Sequence, residues 1–147
     1  MTKRVPVAIC TCLAVRQGAR QLTQLYDRHL APAGLRATQY PILARLRRCG
    51  PMPINALAAD LVVDRTTLGR ALRPLERDGL VVLSVGRDAR TRELSLTPRG
   101  VERLAVAAPL WRDAQEAFDQ GYGAEESASL RIAMSRVVEM AGPVETA

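Results

Sequence analysis

The sequence predicts a mainly α-helical chain with one small β-hairpin, and three features in and just before the stretch from Asp64 to Gly100 carry that prediction. At about 100° per residue, Leu68, Ala71, Leu72 and Leu75 project to one side of a helix, and Thr66, Arg70, Arg73 and Arg77 project to the other. LVVLSV and TRELSL then read as two strands joined by GRDAR, which places Arg87, Arg90 and Arg92 at or beside the turn. A second short helix, PINALAADL, lies only a tight turn upstream of Asp64. A helix pair followed by a basic hairpin is the pattern of a winged helix-turn-helix, with further helices on both sides.

The elements follow in order. Val7, Ala8, Cys12, Val15, Ala19, Leu22, Leu25, Tyr26 and Leu30 recur at helical period, so a first helix is expected from about Val7 to Leu30. Pro32 and Gly34 end it. Thr38 is expected to cap a second helix, with Pro41 in its first turn, where a missing N–H costs little. Ile42, Leu43, Leu46 and Cys49 should face inward before Gly50-Pro51 stops that helix. Ile54, Leu57, Ala58 and Leu61 are the inward side of the third helix. Asp64 caps the fourth, and Gly79 ends it as a left-handed residue. Pro74 lies inside that helix and cannot donate to the Arg70 carbonyl. Thr97 caps the next helix with Pro98 at its first position, and Leu96 can staple onto Val101. In that helix Val101, Leu104, Ala105, Ala108, Trp111 and Phe118 repeat at threes and fours around an internal Pro109. A last helix carries Leu130, Ala133, Met134, Val137 and Ala141.

Composition narrows the function. With 48% hydrophobic residues the chain can bury a real core, and 3% aromatics argue against base stacking on single-stranded nucleic acid. Residues 1–99 hold 17 basic and 7 acidic side chains, whereas residues 100–147 hold 4 and 8, so one end suits a polyanion and the other does not. Lys3 is the only lysine, and arginine can fork onto a guanine edge or a phosphate where lysine offers a point charge. An apolar back with a front of arginines and a hydroxyl is a surface that a major groove accepts. Arg65 and Arg92 are expected to bind phosphate rather than read sequence. Arg73 and Arg77 fit equally well as a solvated face.

Other classes have less support. No run approaches the length of a membrane span. The basic, apolar start lacks a clean cleavage site and reads as a helix start, so a cytoplasmic protein is expected. Three cysteines, Cys10, Cys12 and Cys49, have no framework spacing. His29 is the only histidine and is expected at the surface, so no metal centre, cofactor site or catalytic triad is expected. A thiol enzyme built on Cys12 would lack a base in register. The competing non-enzymatic reading is a winged-helix module for protein–protein contact, which would not need a basic helix face and a basic wing together.

The motif Asp64-Arg65-Thr66-Thr67-Leu68, Leu75-Glu76, Gly79-Leu80-Val81, Asp88, Arg90, Leu94, Leu96-Thr97 and Gly100 resembles that of the multiple-antibiotic-resistance regulator (MarR) family of bacterial transcription factors. The likeness extends over most of the chain. It implies an obligate homodimer that binds double-stranded, pseudo-palindromic operator DNA, usually as a repressor released by a small ligand or an oxidant. It implies a DNA-binding core at 35–100 and dimerisation helices at 5–32 and 101–143. Thr66, Thr67 and Arg70 would enter the major groove, and Arg90 the minor groove with Asp88 orienting it. The start of the first helix is similar to a branch that senses organic peroxides. Cys12 falls on the sensing position and Tyr26 on a tyrosine donated by the partner subunit, while Arg16 and Ala37 hold the branch's other tyrosine positions.

Residue geometry bears on those thiols independently. Cys12 and Tyr26 lie roughly 21 Å apart along one helix, so contact between them must cross subunits. Cys10 and Cys12 differ by about 200° around a helix and cannot pair there unless the turn unwinds. Arg16, one turn on, supplies the positive charge that a reactive thiol needs. The alternatives for Cys12 are a small hydrophobe at the edge of an apolar stripe, a redox or electrophile sensor, and a soft-metal ligand.

Overall fold

A computed structural model describes residues 10–143. Helix α1 (Thr11–Leu30) runs into a 3-10 turn at Ala31–Ala33 and is followed by α2 (Tyr40–Cys49), strand β1 (Met52–Pro53) and α3 (Ile54–Asp60). Then come α4 (Arg65–Arg77), β2 (Val81–Val85), β3 (Arg92–Leu96), α5 (Pro98–Tyr122) and α6 (Ala124–Ala141). The mainly helical chain with a small antiparallel sheet is the predicted fold class. No helix among the described residues is long and apolar enough to cross a membrane.

The core sits inside the winged part. Leu43 and Leu46 of α2, Leu57 of α3, Leu68, Leu72 and Leu75 of α4, Leu80 just before β2 and Leu94 of β3 are each at most 3% exposed. They form one cluster with Leu30 and Leu35. The projection of α4 therefore holds: its leucines are buried, and Thr66, Arg70, Arg73 and Arg77 are exposed. The sheet order is β1-β3-β2, with Leu94 of β3 opposite Met52 on one side and Leu83 on the other. Tyr40 stacks on Trp111 with ring centroids 5.5 Å apart, which fixes α2 against α5.

Several expectations need correction. The sheet has a third strand, two residues long and containing Pro53, too short for any alternation to register. Helix α2 begins at Tyr40, and Thr38 does not cap it: Gln39 occupies the N-cap position, and its side chain accepts the Arg36 N–H at 3.0 Å instead. Cys49 is exposed rather than inward, because it is the last residue of α2 and lies past the edge of the core. His29 is half-buried, with Nδ1 2.9 Å from the Leu25 carbonyl oxygen.

The flanking helices differ from the winged part. In α1 only Leu30 is buried, and in α6 only Ser127. Helix α1 starts at Thr11 with Cys10 outside it in extended conformation, so the 200° argument for Cys10 and Cys12 does not apply. Val7 and Ala8 lie outside the described residues. In α5 the inward face is Gly100, Leu104, Ala107, Trp111, Ala114 and Phe118. Leu104, Trp111 and Phe118 belong to the expected stripe, whereas Ala105 is exposed, Val101 is 38% exposed, and Gly100, Ala107 and Ala114 take the buried positions.

Candidate nucleic-acid interface

The exposed face of α4 begins with its cap. Asp64 Oδ1 accepts the Thr67 N–H at 2.8 Å, and Oδ2 accepts the Thr67 hydroxyl at 2.7 Å. These two bonds, the hydroxyl's first, hold the Asp64 carboxyl below its usual range. They also commit the Thr67 side chain to the cap, whereas no such bond from Thr66 is present among the described residues. Arg65 Nη1 reaches toward Asn55 Oδ1 at 3.4 Å, linking the first turns of α3 and α4. Arg77 Nε lies 3.6 Å from Asp78, so its charge has a partner, while Arg70 and Arg73 show no ion pair among the described residues. Helix α4 continues through Pro74 to Arg77.

Val62, in the turn that delivers α4, adopts φ 55°. This left-handed conformation is strained for a β-branched residue. The turn is also fixed by the Val63 N–H, which donates to the Ala58 carbonyl at 3.0 Å.

The wing tip is ordered by its own bonds. Gly86 N–H donates to the Thr91 carbonyl at 2.8 Å, and Thr91 returns both its N–H and its hydroxyl to the Asp88 carbonyl at 2.9 and 3.0 Å. Asp88 Oδ1 accepts the backbone N–H of Arg90 at 3.1 Å. Asp88 thus holds the backbone that carries Arg90; no Asp88–Arg90 ion pair is present among the described residues. Arg87, Asp88, Arg90 and Arg92 are all exposed. The roles of Asn55 and Thr91 were not found from sequence, since both act through bonds that depend on how separate segments meet.

The thiol candidates sit apart from this surface. Cys10 and Cys12 are exposed, as is every residue from Thr11 to Arg20, so Cys12 fills no apolar stripe within its own chain. Tyr26 donates its hydroxyl to Gln115 Oε1 at 2.7 Å, a bond within the same chain between α1 and α5. Burial, and then the charge of Asp119, raise its pKa against the opposing effect of Arg131. Among the described residues no group of three or more His, Cys, Asp or Glu side chains is placed to hold a metal ion. A groove of about 890 Å³ separates α4 from the junction of α1 and α2, with Arg36, Gln39, Thr67 and Arg70 among its walls.

Comparison with known proteins agrees with this architecture. The MarR family model matches residues 35–83. The Bacillus subtilis HTH-type transcriptional regulator YwoH is 32% identical over 83 residues, which span 56% of this chain and 61% of that protein. A Bacillus cereus HTH-type transcriptional regulator is 30% identical over 118 residues, covering 80% of this chain and 79% of its own length. The Mycobacterium tuberculosis transcriptional regulator MosR, solved in complex with DNA, is 39% identical. It superposes with a TM-score of 0.72 over 87% of this chain and 98% of the MosR chain. These relatives are regulators of transcription. The chain belongs to the MarR family and is a DNA-binding transcriptional regulator with a winged helix-turn-helix.

Proposed function

We propose that the chain acts as a homodimeric repressor in the cytoplasm, with residues 35–100 as the DNA-binding core and 5–32 and 101–143 as dimerisation helices. The observation that carries this reading is the pairing of one exposed arginine face with a large uncovered apolar surface on the flanks. Leu13, Val15, Val106, Tyr122, Ile132, Val137 and Met140 are between 38% and 80% exposed, and all lie in α1, α5 or α6. Burying them against a second copy removes that surface from water and sets two α4 helices about one turn of duplex apart, as a pseudo-palindromic operator requires.

In this reading Thr66, Arg70 and Arg73 face the major groove, with Thr67 held at the cap of the same turn. Arg65 binds phosphate across the first turn of α4. Arg90 enters the minor groove from a tip that Asp88 has already ordered, and Arg87 and Arg92 hold phosphates on either side. A preformed tip loses little entropy on binding.

Release from DNA is assigned to a small effector or to oxidation at Cys12. An effector in the groove beside Arg36 and Arg70 would compete directly for an arginine that the DNA needs. Cys12 is accessible and lies one helical turn from Arg16. Within its own chain Tyr26 donates to Gln115, and on this reading it would turn to the partner's thiol only by giving up that bond.

A gel shift with DNA from upstream of the coding sequence tests the reading, run with wild type and Cys12→Ser, with and without hydroperoxide. Retarded DNA that arbitrary duplex does not displace supports it. Release by oxidant in wild type but not in Cys12→Ser assigns the signal to the thiol. Equal competition by arbitrary DNA rejects sequence-specific repression.

A further inference from the structure

Four residues meet around one hydroxyl where α4, β2, β3 and α5 come together. Gly79, at φ 71°, ends α4; Leu80 leads into β2; Thr97 separates β3 from α5; and Gly100 lies in the first turn of α5. Thr97 Oγ1 accepts the Gly100 N–H at 3.0 Å, which is ordinary helix capping. The same hydroxyl donates toward the Gly79 carbonyl at 2.6 Å and lies 3.1 Å from the Leu80 carbonyl. The Thr97 N–H donates to Leu80 as well, at 3.1 Å. A Cβ at Gly100 would stand 2.1 Å from the Leu80 carbonyl oxygen, so α5 rests directly on the backbone where α4 gives way to the wing.

A cap needs only an acceptor, so the donated bond to Gly79 is additional. There is little slack around it. One residue joins β3 to α5, and Pro98 fixes the backbone at the next position. Helix α5 then runs 25 residues, about 38 Å, into the helical flank.

We propose that Thr97 is a positioning residue for DNA recognition: its hydroxyl locks the end of α4, the root of the wing and the start of α5 into one unit. The direction of α5 thereby sets how Arg70 and Arg90 are presented together. The inference rests on the reading that α4 and the wing tip contact DNA. A binding constellation needs its supports held within roughly 0.5 Å, and here one hydroxyl, beside the backbone bond from Thr97 to Leu80, bonds at the point where both contact elements are rooted.

The test is a fluorescence-anisotropy titration of upstream operator DNA with full-length wild type, Thr97→Val, Thr97→Ser, Thr97→Asn and Arg70→Ala, each first checked by thermal unfolding. Thr97→Val, which loses both roles, should weaken binding about tenfold or more. Thr97→Ser should restore wild-type affinity. Thr97→Asn keeps an acceptor for the cap but places its donor on a different atom, so it should recover stability and not affinity. It also serves as the informative variant if Thr97→Val does not fold. Wild-type affinity in Thr97→Val, or in Thr97→Asn, overturns the proposal. Should Arg70→Ala lose affinity in that case, the reading of α4 stands and only the joint is wrong. If Arg70→Ala also binds normally, the underlying reading has failed with it.

Discussion

The winged part and the flanking helices solve the burial problem differently. Helices α2, α3 and α4 and the sheet cover one another's leucines, with Leu43, Leu57, Leu80 and Leu94 at 0% exposure. Helices α1 and α6 are longer, yet each buries one residue, while Ile132 is 65% and Met140 80% exposed. An amphipathic helix draws its stability from packing rather than from propensity, so the two regions have different requirements. The winged part buries its leucines among its own elements and closes the cluster with Leu30 of α1 and Ala107 of α5. The flanks need a surface that a single chain does not provide, and the proposed second copy is the simplest source of it. On the proposed reading, recognition and assembly belong to separate stretches that meet at Thr97.

Mutations should separate the two regions. The largest effect is expected in the winged core: Leu72→Ala, at a 3% exposed position, should cost about 2–5 kcal/mol in denaturant unfolding. A loss under about 1 kcal/mol would mean that α4 is not packed as described. On the flank, Ile132→Glu should leave the helical content intact but shift the chain to monomer in sedimentation. Because two half-sites are engaged together, it should also weaken operator binding by about tenfold or more. At the wing, Arg90→Ala should reduce affinity several-fold and lower the slope of log affinity against log salt by about 1, with no change in thermal stability. The smallest effect is at the turn before α4. Val62→Gly relieves a left-handed β-branched residue at a 42% exposed site and should raise stability by about 1 kcal/mol or less.

The capping carboxylate adds a pH dependence to the same comparison. The Asp64 carboxyl is lowered by its bonds to Thr67, so its folded pKa lies below the unfolded one. The stabilisation is present above the ordinary aspartate range and is lost as the pH falls through the folded value. Asp64→Ala should therefore flatten the acid side of the stability profile and leave the neutral-to-alkaline shape unchanged.

Much of the winged part was legible in the sequence because its signals are local. The Asp64 and Thr97 caps, the left-handed Gly79 and the leucine face of α4 each depend on spacing within a few residues. The misreadings are of another kind. Strand β1 exists only because β3 lies beside it, so two residues including Pro53 could not announce it. Cys49 keeps the helical spacing of Ile42, Leu43 and Leu46 but lies beyond the end of the core. Helix α5 has small or apolar residues on two adjacent faces, and periodicity cannot tell which is used within the chain. The inward choice of Ala107 and Ala114 leaves Val101, Ala105 and Val106 outward. At the interface, the exposed arginines were found by projection. The bonding of Asp88 to the Arg90 backbone and of Thr97 to Gly79 required the folded geometry.

On the proposed reading the arginine face of α4 works as one of a pair held by the flanking helices. Sedimentation of the complex with a single upstream operator duplex, for wild type and Ile132→Glu, tests it most directly. Two wild-type chains per duplex are expected, with no stable complex for Ile132→Glu at the same concentration. One chain per duplex at full affinity, in either protein, would contradict it.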